Sequence, residues 1–395
     1  MQIHTVKKGE KIGDIAESHG VSEWIIRMIN EIDAGEPAEG EELLILIPTR
    51  EYTTQVGDTV DRISLRFGIS KRDIFTLNPW LENELKPGEK IALKYDEPKG
   101  GMAVANGYFY KGCDRKILKR AMPYLTYITY AGGVADERGV RKTEDFSTEV
   151  KMALDERKIP LIRIFDRTPE RYSMGGDMTK LCEEMIALAR EGGYKGIVID
   201  SCPLSNSAEG FMSFLMILRK LMIGCDLILL TEIDEQSPIE FSEYADGSVM
   251  YYPKYAMENP ASFEEGERRV ISDFACRGES LKTFIDLPSL VKNDSGFVTT
   301  NDALKVARRR GCRVENNEST LLSHIRDRRQ GEYSFSSLKN IKELLGLIRE
   351  FDYMGICFDI MRTPLSHLMM YNNIFKTHYC NSVRTREGCS RGVEE

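Results

Sequence analysis

Acids recur at the ends of apolar runs through the carboxy-terminal part of this chain. Asp200 closes Gly196-Ile197-Val198-Ile199-Asp200, and Cys202 stands two residues on. Asp166, Glu232, Asp286 and Asp359 close four more runs, with Asp234 just past Glu232. Residues i and i+2 of a strand face the same side, so positions 200 and 202 would project together. Two carboxylates placed in this way can cleave a glycosidic bond, one as general acid and one as base or nucleophile. Here a thiol holds the second place. Its reference pKa of about 8.5 suits proton donation poorly, and it is shorter than Glu. Displaced donors among Glu232, Asp234 and Asp286 are the alternative. Each acid also has a plainer reading, solvated or paired with Arg163, Arg167 or Arg362. No four ligands fall at zinc spacing. No metal and no cofactor are expected.

The elements that must hold these acids are legible from periodicity. Strand-like runs cover 103–109, 125–130, 160–165, 196–200, 226–232, 248–252, 281–286 and 355–359. Amphipathic helical patterns cover 114–122, 148–157, 178–191, 209–222, 262–277, 300–310 and 336–350. Strands alternating with helices over this length predict an α/β fold, a (β/α)8 barrel whose strand carboxyl ends form the active face. Tyr108, Tyr251, Tyr252 and Asp359 would then line the barrel cleft, with Tyr127 and Tyr130 as further aromatics. A doubly wound open sheet is the competing architecture. It lacks a phosphate loop, because Asn106-Gly107-Tyr108-Phe109-Tyr110 is no GxGxxG.

Bulk properties narrow the partners. The 395 residues are 42% hydrophobic and 29% charged, with net charge −8 and pI near 5.5. That balance disfavours nucleic acid, which needs a basic face, and leaves neutral glycans open. No apolar run reaches the ~18 residues of a membrane helix. The start, Met-Gln-Ile-His-Thr-Val-Lys-Lys-Gly-Glu, lacks the apolar core of a signal peptide, so no Sec export is expected. The nine cysteines are scattered and read as small buried hydrophobes of a reducing compartment.

The first part of the chain repeats itself at an offset of 48 residues. Gly9-Glu10 meets Gly57-Asp58, Gly20-Val21-Ser22 meets Gly68-Ile69-Ser70, Asn30 meets Asn78, and Gly40-Glu41 meets Gly88-Glu89. Each copy predicts a β-α-α-β unit, with Gly20 and Gly68 ending a first helix and Ser22 and Ser70 capping a second. Tyr52, Val56-Gly57-Asp58-Thr59, Phe67-Gly68-Ile69-Ser70, Asn78-Pro79 and Pro87-Gly88 make this unit resemble a LysM module. The first copy departs at Glu10-Lys11 and Glu39. The resemblance implies binding of N-acetylglucosamine glycans such as peptidoglycan or chitin. The groove would use Gly57, Asp58, Thr59, Asn78, Pro79, Trp80 and Leu81, and in the first copy Gly9, Glu10 and Asn30. Asp58 also fits an Asx-turn residue that organises the following helix. The expected organisation is module 1 over 1–48, module 2 over 50–95, a linker over 96–101, the barrel over 102–376 and a frayed tail over 377–395.

Two modules followed by a barrel carrying Pro123–Ile128 and Gly193–Asp200 resemble the spore cortex-lytic N-acetylglucosaminidases of glycoside hydrolase family 18. Ala303–Asn316 resembles the segment before that family's small inserted hairpin, and Phe335–Asp359 its final helix and strand. The family's fourth strand reads Asp-Gly-x-Asp-Ile-Asp-x-Glu. Matched in place, its first, second and last acids become Lys195, Val198 and Cys202, and Asp200 alone stands. The resemblance implies that the missing Glu was the general acid and that Asp200 orients a substrate acetamide. Losing such an acid costs about 10²–10⁴-fold in rate. Val249–Lys254 replaces the family's Met-x-Tyr-Asp, and Asp359 falls near its closing-strand Trp. Three expectations follow: a glycan-binding envelope protein with an impaired barrel, an active glycosidase using displaced carboxylates, or a structural spore-coat scaffold. The family implies synthesis in the mother-cell cytoplasm and deposition on the forespore.

Overall fold

The computed structural model describes residues 1–377, apart from 82–84, 96–99, 169, 175–177, 201–207, 235–236, 238–242, 252–261, 279, 294–295 and 330. Most of the expected linker, all but the first residue of the tail, Cys202 and Tyr252 therefore lie outside the described residues.

Each repeat folds as β-α-α-β. Module 1 has β1 (Gln2–Thr5), α1 (Ile12–His19), α2 (Glu23–Ile29) and β2 (Glu42–Ile45). Module 2 has β3 (Pro48–Thr53), α3 (Val60–Phe67), α4 (Lys71–Leu77) and β4 (Lys90–Tyr95). Each module's two strands pair antiparallel. Gly20 and Gly68 end the first helices at φ 65° and 66°, the left-handed region that glycine enters without penalty. Ser70 caps α4 through its side chain, whereas Ser22 makes no such bond.

One barrel follows. Its eight parallel strands are β5 (Met102–Phe109), β6 (Tyr127–Asp136), β8 (Ile159–Asp166), β9 (Gly196–Asp200), β10 (Ile228–Ile233), β11 (Gly247–Met250), β12 (Thr283–Asp286) and β18 (Gly355–Asp359). They pair in that order, and β18 returns to β5, which also pairs with β6 and so closes the ring. The short strand β7 (Gly139–Lys142) forms a hairpin on β6. Helices α5 (Arg115–Ala121), α6 (Ser147–Asp155), α7 (Arg171–Met174), α8 (Thr179–Glu191), α9 (Ala208–Met222) and α10 (Arg269–Cys276) lie outside the strands. The interior holds Ile159, Leu161, Val198, Leu230, Val249, Phe284 and Cys357, the inward residues just below the strand ends. Such a filled interior is a core, not a pore.

Between β12 and β18 the chain builds a larger insert than the expected hairpin. A five-stranded antiparallel sheet is made of β13 (Leu290–Asn293), β14 (Gly296–Thr299), β15 (Val314–Asn316), β16 (Leu322–Asp327) and β17 (Gly331–Ser336), with α11 (Thr300–Arg310) against it. Helices α12 (Leu338–Glu350) and α13 (Leu365–Ile374) flank β18, and β19 (Lys376–Thr377) pairs with the start of β5.

The modules do not hang from a spacer. Ile25, Ile29, Leu44 and Leu46 of module 1 belong to the same buried apolar cluster as the barrel helices. Module 2 keeps its own core of Val60, Ile63, Ile74, Leu81, Ile91 and Leu93. It docks through α4, where the Arg72 guanidinium donates to the carbonyls of Pro123 (2.9 Å) and Leu125 (3.3 Å). The Tyr124 hydroxyl returns a bond to Thr76 O at 2.8 Å. Buried Lys158 also donates to Leu125 O at 2.8 Å, and burial beside Arg72 holds its ammonium down at about 7. Trp24 and Trp80 meet edge to face, 5.3 Å apart, where the modules touch.

Candidate functional site

Alternation along the strands decides which polar groups share the barrel mouth. Two residues above the apolar interior layer stand Arg163, Asp200, Glu232, Tyr251, Asp286 and Asp359, one from each of six neighbouring strands or their ends. Tyr108 joins them from β5. Asp200 and Glu232 are register partners on β9 and β10.

The centre of this layer is Arg163. Its Nε donates to Glu232 Oε1 (2.8 Å) and Oε2 (2.9 Å). Its Nη2 donates to Glu232 Oε2 and to Asp200 Oδ2, each at 2.7 Å, and to Tyr251 Oη at 3.2 Å. Tyr108 donates its hydroxyl to Glu232 Oε1 at 2.5 Å. Glu232 is 0% exposed, Asp200 11% and Arg163 20%, so this is a largely desolvated cluster with one cation serving two carboxylates. Burial would lower the guanidinium pKa, but Glu232, Tyr251 and Asp200 more than reverse that and hold it above its ordinary value. Burial, reinforced by Glu232, pushes the hydroxyls of Tyr108 and Tyr251 well up. A carboxylate gripped side-on by a guanidinium is an acceptor with both oxygens engaged. A general acid must instead carry a proton toward the leaving oxygen.

The remaining acids divide by environment. Asp359 accepts from the Tyr110 hydroxyl and pairs with Arg362 at 3.2 Å. Burial still raises its pKa against those contacts. Asp286 is half-buried and has no hydrogen-bond partner among the described residues. Burial first, then the charges of Asp359 and Glu232, push its carboxyl well above the usual range. Asp166 sits at an odd step from Arg163 and so faces away from the mouth. It caps the following loop, accepting from Thr168 N, Thr168 Oγ1 and the Tyr172 hydroxyl. Asp234 bonds Ser237 in a local turn. Arg163 and Arg362 do pair with barrel acids, whereas Asp166 meets Arg171 at 3.4 Å.

Of the expected cleft aromatics, Tyr108 and Tyr251 reach the mouth. Tyr127 packs lower, against Phe284 in the barrel interior. Tyr130 faces outward, fully buried, and donates to Glu149 O at 2.9 Å. Phe165 was not anticipated. It projects inward one step above Arg163, is 40% exposed, and lies 5.8 Å from that guanidinium. The run Leu161, Arg163, Phe165 carries the signal, since three alternate residues must share the barrel side.

In the modules, the repeat reproduces atoms as well as letters. Glu10 Oε2 accepts from Lys7 N (2.8 Å) and bonds His4 Nε2 (2.9 Å). Asp58 Oδ2 accepts from Gln55 N and the Tyr52 hydroxyl, each at 2.7 Å. Both carboxylates thus organise the turn before the first helix, and Thr59 caps α3 through Arg62 N. Those bonds hold the Asp58 carboxyl below its ordinary value, the Tyr52 bond being the largest cause. Asn78 donates to Ile74 O and Ala92 O (2.8 Å each) and accepts from Ala92 N (2.7 Å). Asn30 repeats this pattern with Ile26 and Leu44. Both side chains are spent pinning helix to strand, so they offer a glycan no free group. Pro79 and Leu81 are buried, and Gly9, Gly57 and Thr59 are exposed. No group of three metal-ligating side chains gathers among the described residues. No described helix is long and apolar enough to cross a membrane.

Comparison with known proteins agrees with this geometry. Residues 4–45 and 52–94 each match the LysM domain, so the chain carries two of them. The spore cortex-lytic enzyme SleL of Bacillus megaterium QM B1551 superposes with TM-score 0.73 at 17% identity, covering 95% of this chain and 98% of that one. SleL of Bacillus cereus gives 0.72 at 15%, covering 95% and 99%. A chitinase of Chromobacterium violaceum ATCC 12472 gives 0.62 at 11%, covering 69% of this chain and 99% of that one. At these identities the likeness establishes the fold: two LysM domains and a barrel of the type seen in family-18 chitinases. In sequence, 236 residues are 25% identical to YdhD of Bacillus subtilis (strain 168), whose name describes a sporulation-specific glycosylase. The match spans 55% of each chain, so this chain covers about half the length of that curated relative.

Proposed function

We propose that this protein binds N-acetylglucosamine glycan of the spore envelope through its LysM modules, and that its barrel has lost cortex-lytic hydrolysis. One observation carries the second part: Arg163 ties Asp200 and Glu232 into a single buried ion cluster. In the family that the barrel resembles, the position two residues after Asp200 holds the proton-donating Glu. In this sequence it is Cys202. Glu232 does not supply the missing proton donor, because both of its oxygens already accept from Arg163 and Tyr108. The spore assignment follows the sporulation glycosylase and cortex-lytic enzymes that the chain is similar to.

A retained hydrolase is the second reading, and Asp286 favours it. Unpartnered among the described residues and with its carboxyl pushed well above the usual range by burial, Asp286 is the acid of the mouth most suited to give a proton.

The experiment is co-sedimentation of the full chain with purified cortex peptidoglycan, with reducing ends assayed in the supernatant. The proposal expects saturable binding with no reducing ends above a protein-free control. Absence of binding would overturn the first part. Release of reducing ends that Asp286→Asn abolishes would establish the second reading instead.

A further inference from the structure

The two modules match position for position, yet they meet the barrel in different ways. In module 1 the segment Ala38 to Glu42 is buried or half-buried, and at the matching positions of module 2 residues 86–88 and 90 are exposed. Ala38 sits in the core of the insert with Val291, Ala307, Val314 and Phe335. Val314 N donates to Glu39 O at 2.8 Å, and Asn316 Nδ2 to Gly40 O at 2.7 Å. A Cβ on Gly40, at φ +82°, would lie 1.9 Å from the Val314 carbonyl oxygen, so this approach requires glycine.

Arg308 of α11 penetrates furthest. Its Nη2 bonds Glu41 Oε1 at 2.5 Å, with Glu41 1% exposed. Its Nη1 and Nη2 also donate to the carbonyls of Glu31 (3.1 Å) and Asn30 (3.2 Å). Glu31, at φ 50°, spreads its carboxylate over Arg120 (3.0 Å), Asn301 (2.7 Å) and Leu365 N (2.9 Å). This loop after α2 is one wall of the groove that the glycan-binding reading requires, and its carbonyls of Asn30 and Glu31 are taken by Arg308 of the insert. From within the module, Glu36 Oε2 accepts from Ile12 N at 2.7 Å, bridging that wall to the start of α1. The facing turn carries Lys7 and Lys8. Module 2 has Gln55 and Val56 there, and Val56 is 89% exposed, an apolar lip suited to a sugar face.

We infer that the modules have divided their work: module 1 is a brace that joins the insert to the barrel, and glycan recognition rests on module 2. This rests on the glycan-binding reading above. The test places matched substitutions at exposed positions in the full chain, Gln55→Trp and Val56→Asp against Lys7→Trp and Lys8→Asp. Binding to chitin oligosaccharide and cortex peptidoglycan is measured beside thermal melting. The module 2 variants should weaken binding about tenfold or more, and the module 1 variants should stay within about twofold. Arg308→Ala should lower the melting temperature while leaving binding within about twofold. Equal losses from both modules, or an Arg308→Ala chain that melts like wild type, would overturn the division while leaving glycan binding intact. A wild-type chain that binds neither glycan would overturn this inference together with the reading beneath it.

Discussion

Replacing Arg163 by Met removes a cation that Asp200 and Glu232 share while keeping much of its volume. Both carboxylates are nearly or wholly enclosed, at 11% and 0% exposure, so little solvent screening softens the loss. Removing one partner of such a pair costs about 3–5 kcal/mol, because a charge is left buried and uncompensated. At about 2–3 °C per kcal/mol for a domain of this size, the melting temperature should fall by roughly 6–15 °C near neutral pH. The deficit has a pH signature. Without the guanidinium, Glu232 is a fully buried carboxylate whose pKa rises above its unfolded value. A raised carboxylate contributes stability that is present below about pH 4.3 and lost as pH rises through the new value. The gap between variant and wild type should therefore be smaller near about pH 4.5 than near about pH 7.5. Adding Glu232→Gln to Arg163→Met should recover about 1 kcal/mol or more, since the orphaned charge goes with it. The assay is thermal melting by circular dichroism across that range. An Arg163→Met chain within about 2 °C of wild type at neutral pH would refute the buried cluster, as would a deficit that does not shrink on acidification.

Other outcomes test neighbouring parts of the account. Asp286→Asn should stabilise the protein at neutral and higher pH and leave it unchanged in acid. The raised carboxyl of Asp286 gives stability below its unfolded pKa that is lost as pH rises, and the amide does not titrate. Denaturant titrations at acid and neutral pH read this directly. Lys158 is held down at about 7, so its contribution is full above the unfolded lysine value and falls as pH drops to about 7. The stability of wild type relative to Lys158→Met should accordingly rise between neutral and alkaline pH in the same assay. Asn78→Ala strands three buried backbone groups and should cost roughly 2–3 kcal/mol, with faster hydrogen exchange confined to module 2. Asn30→Ala should instead loosen exchange in the barrel helices that share the module 1 core.

Much of the barrel was legible because its strands are short apolar runs with abrupt polar ends. Gly196–Asp200 has the bounds its sequence predicts, and the strand-end acids Glu232, Asp286 and Asp359 stand in the mouth with Asp200. Alternation, applied from Arg163, turns Asp166 outward, a step that strand-end position alone conceals. Arg163 was visible as a pairing partner, but not as the group that two acids share. That depends on which side chains three separate strands bring within 3 Å, and no local pattern records it. The modules show a second limit. Asn30 and Asn78 recur because the fold needs a pin between helix and strand, and a repeated polar residue looks the same whether it serves a ligand or the backbone. The docking of module 1 was invisible for a different reason. Beside the Arg308–Glu41 ion pair, Arg308 meets carbonyls of Asn30 and Glu31, and β15 meets the carbonyl of Glu39, so part of the polar contact runs through main chain. Main-chain acceptors carry no residue-type signature. Gly40 is the exception, since its contact with Val314 excludes any side chain.

The central claim is that this barrel holds glycan chemistry's scaffold without its proton donor. Its most direct test is reducing-end release from purified cortex fragments by the full chain, beside Asp200→Asn and Cys202→Glu. The account predicts that wild type and Asp200→Asn are equally without turnover, so that any activity arises with Cys202→Glu. Robust turnover by wild type, abolished by Asp200→Asn, would contradict it.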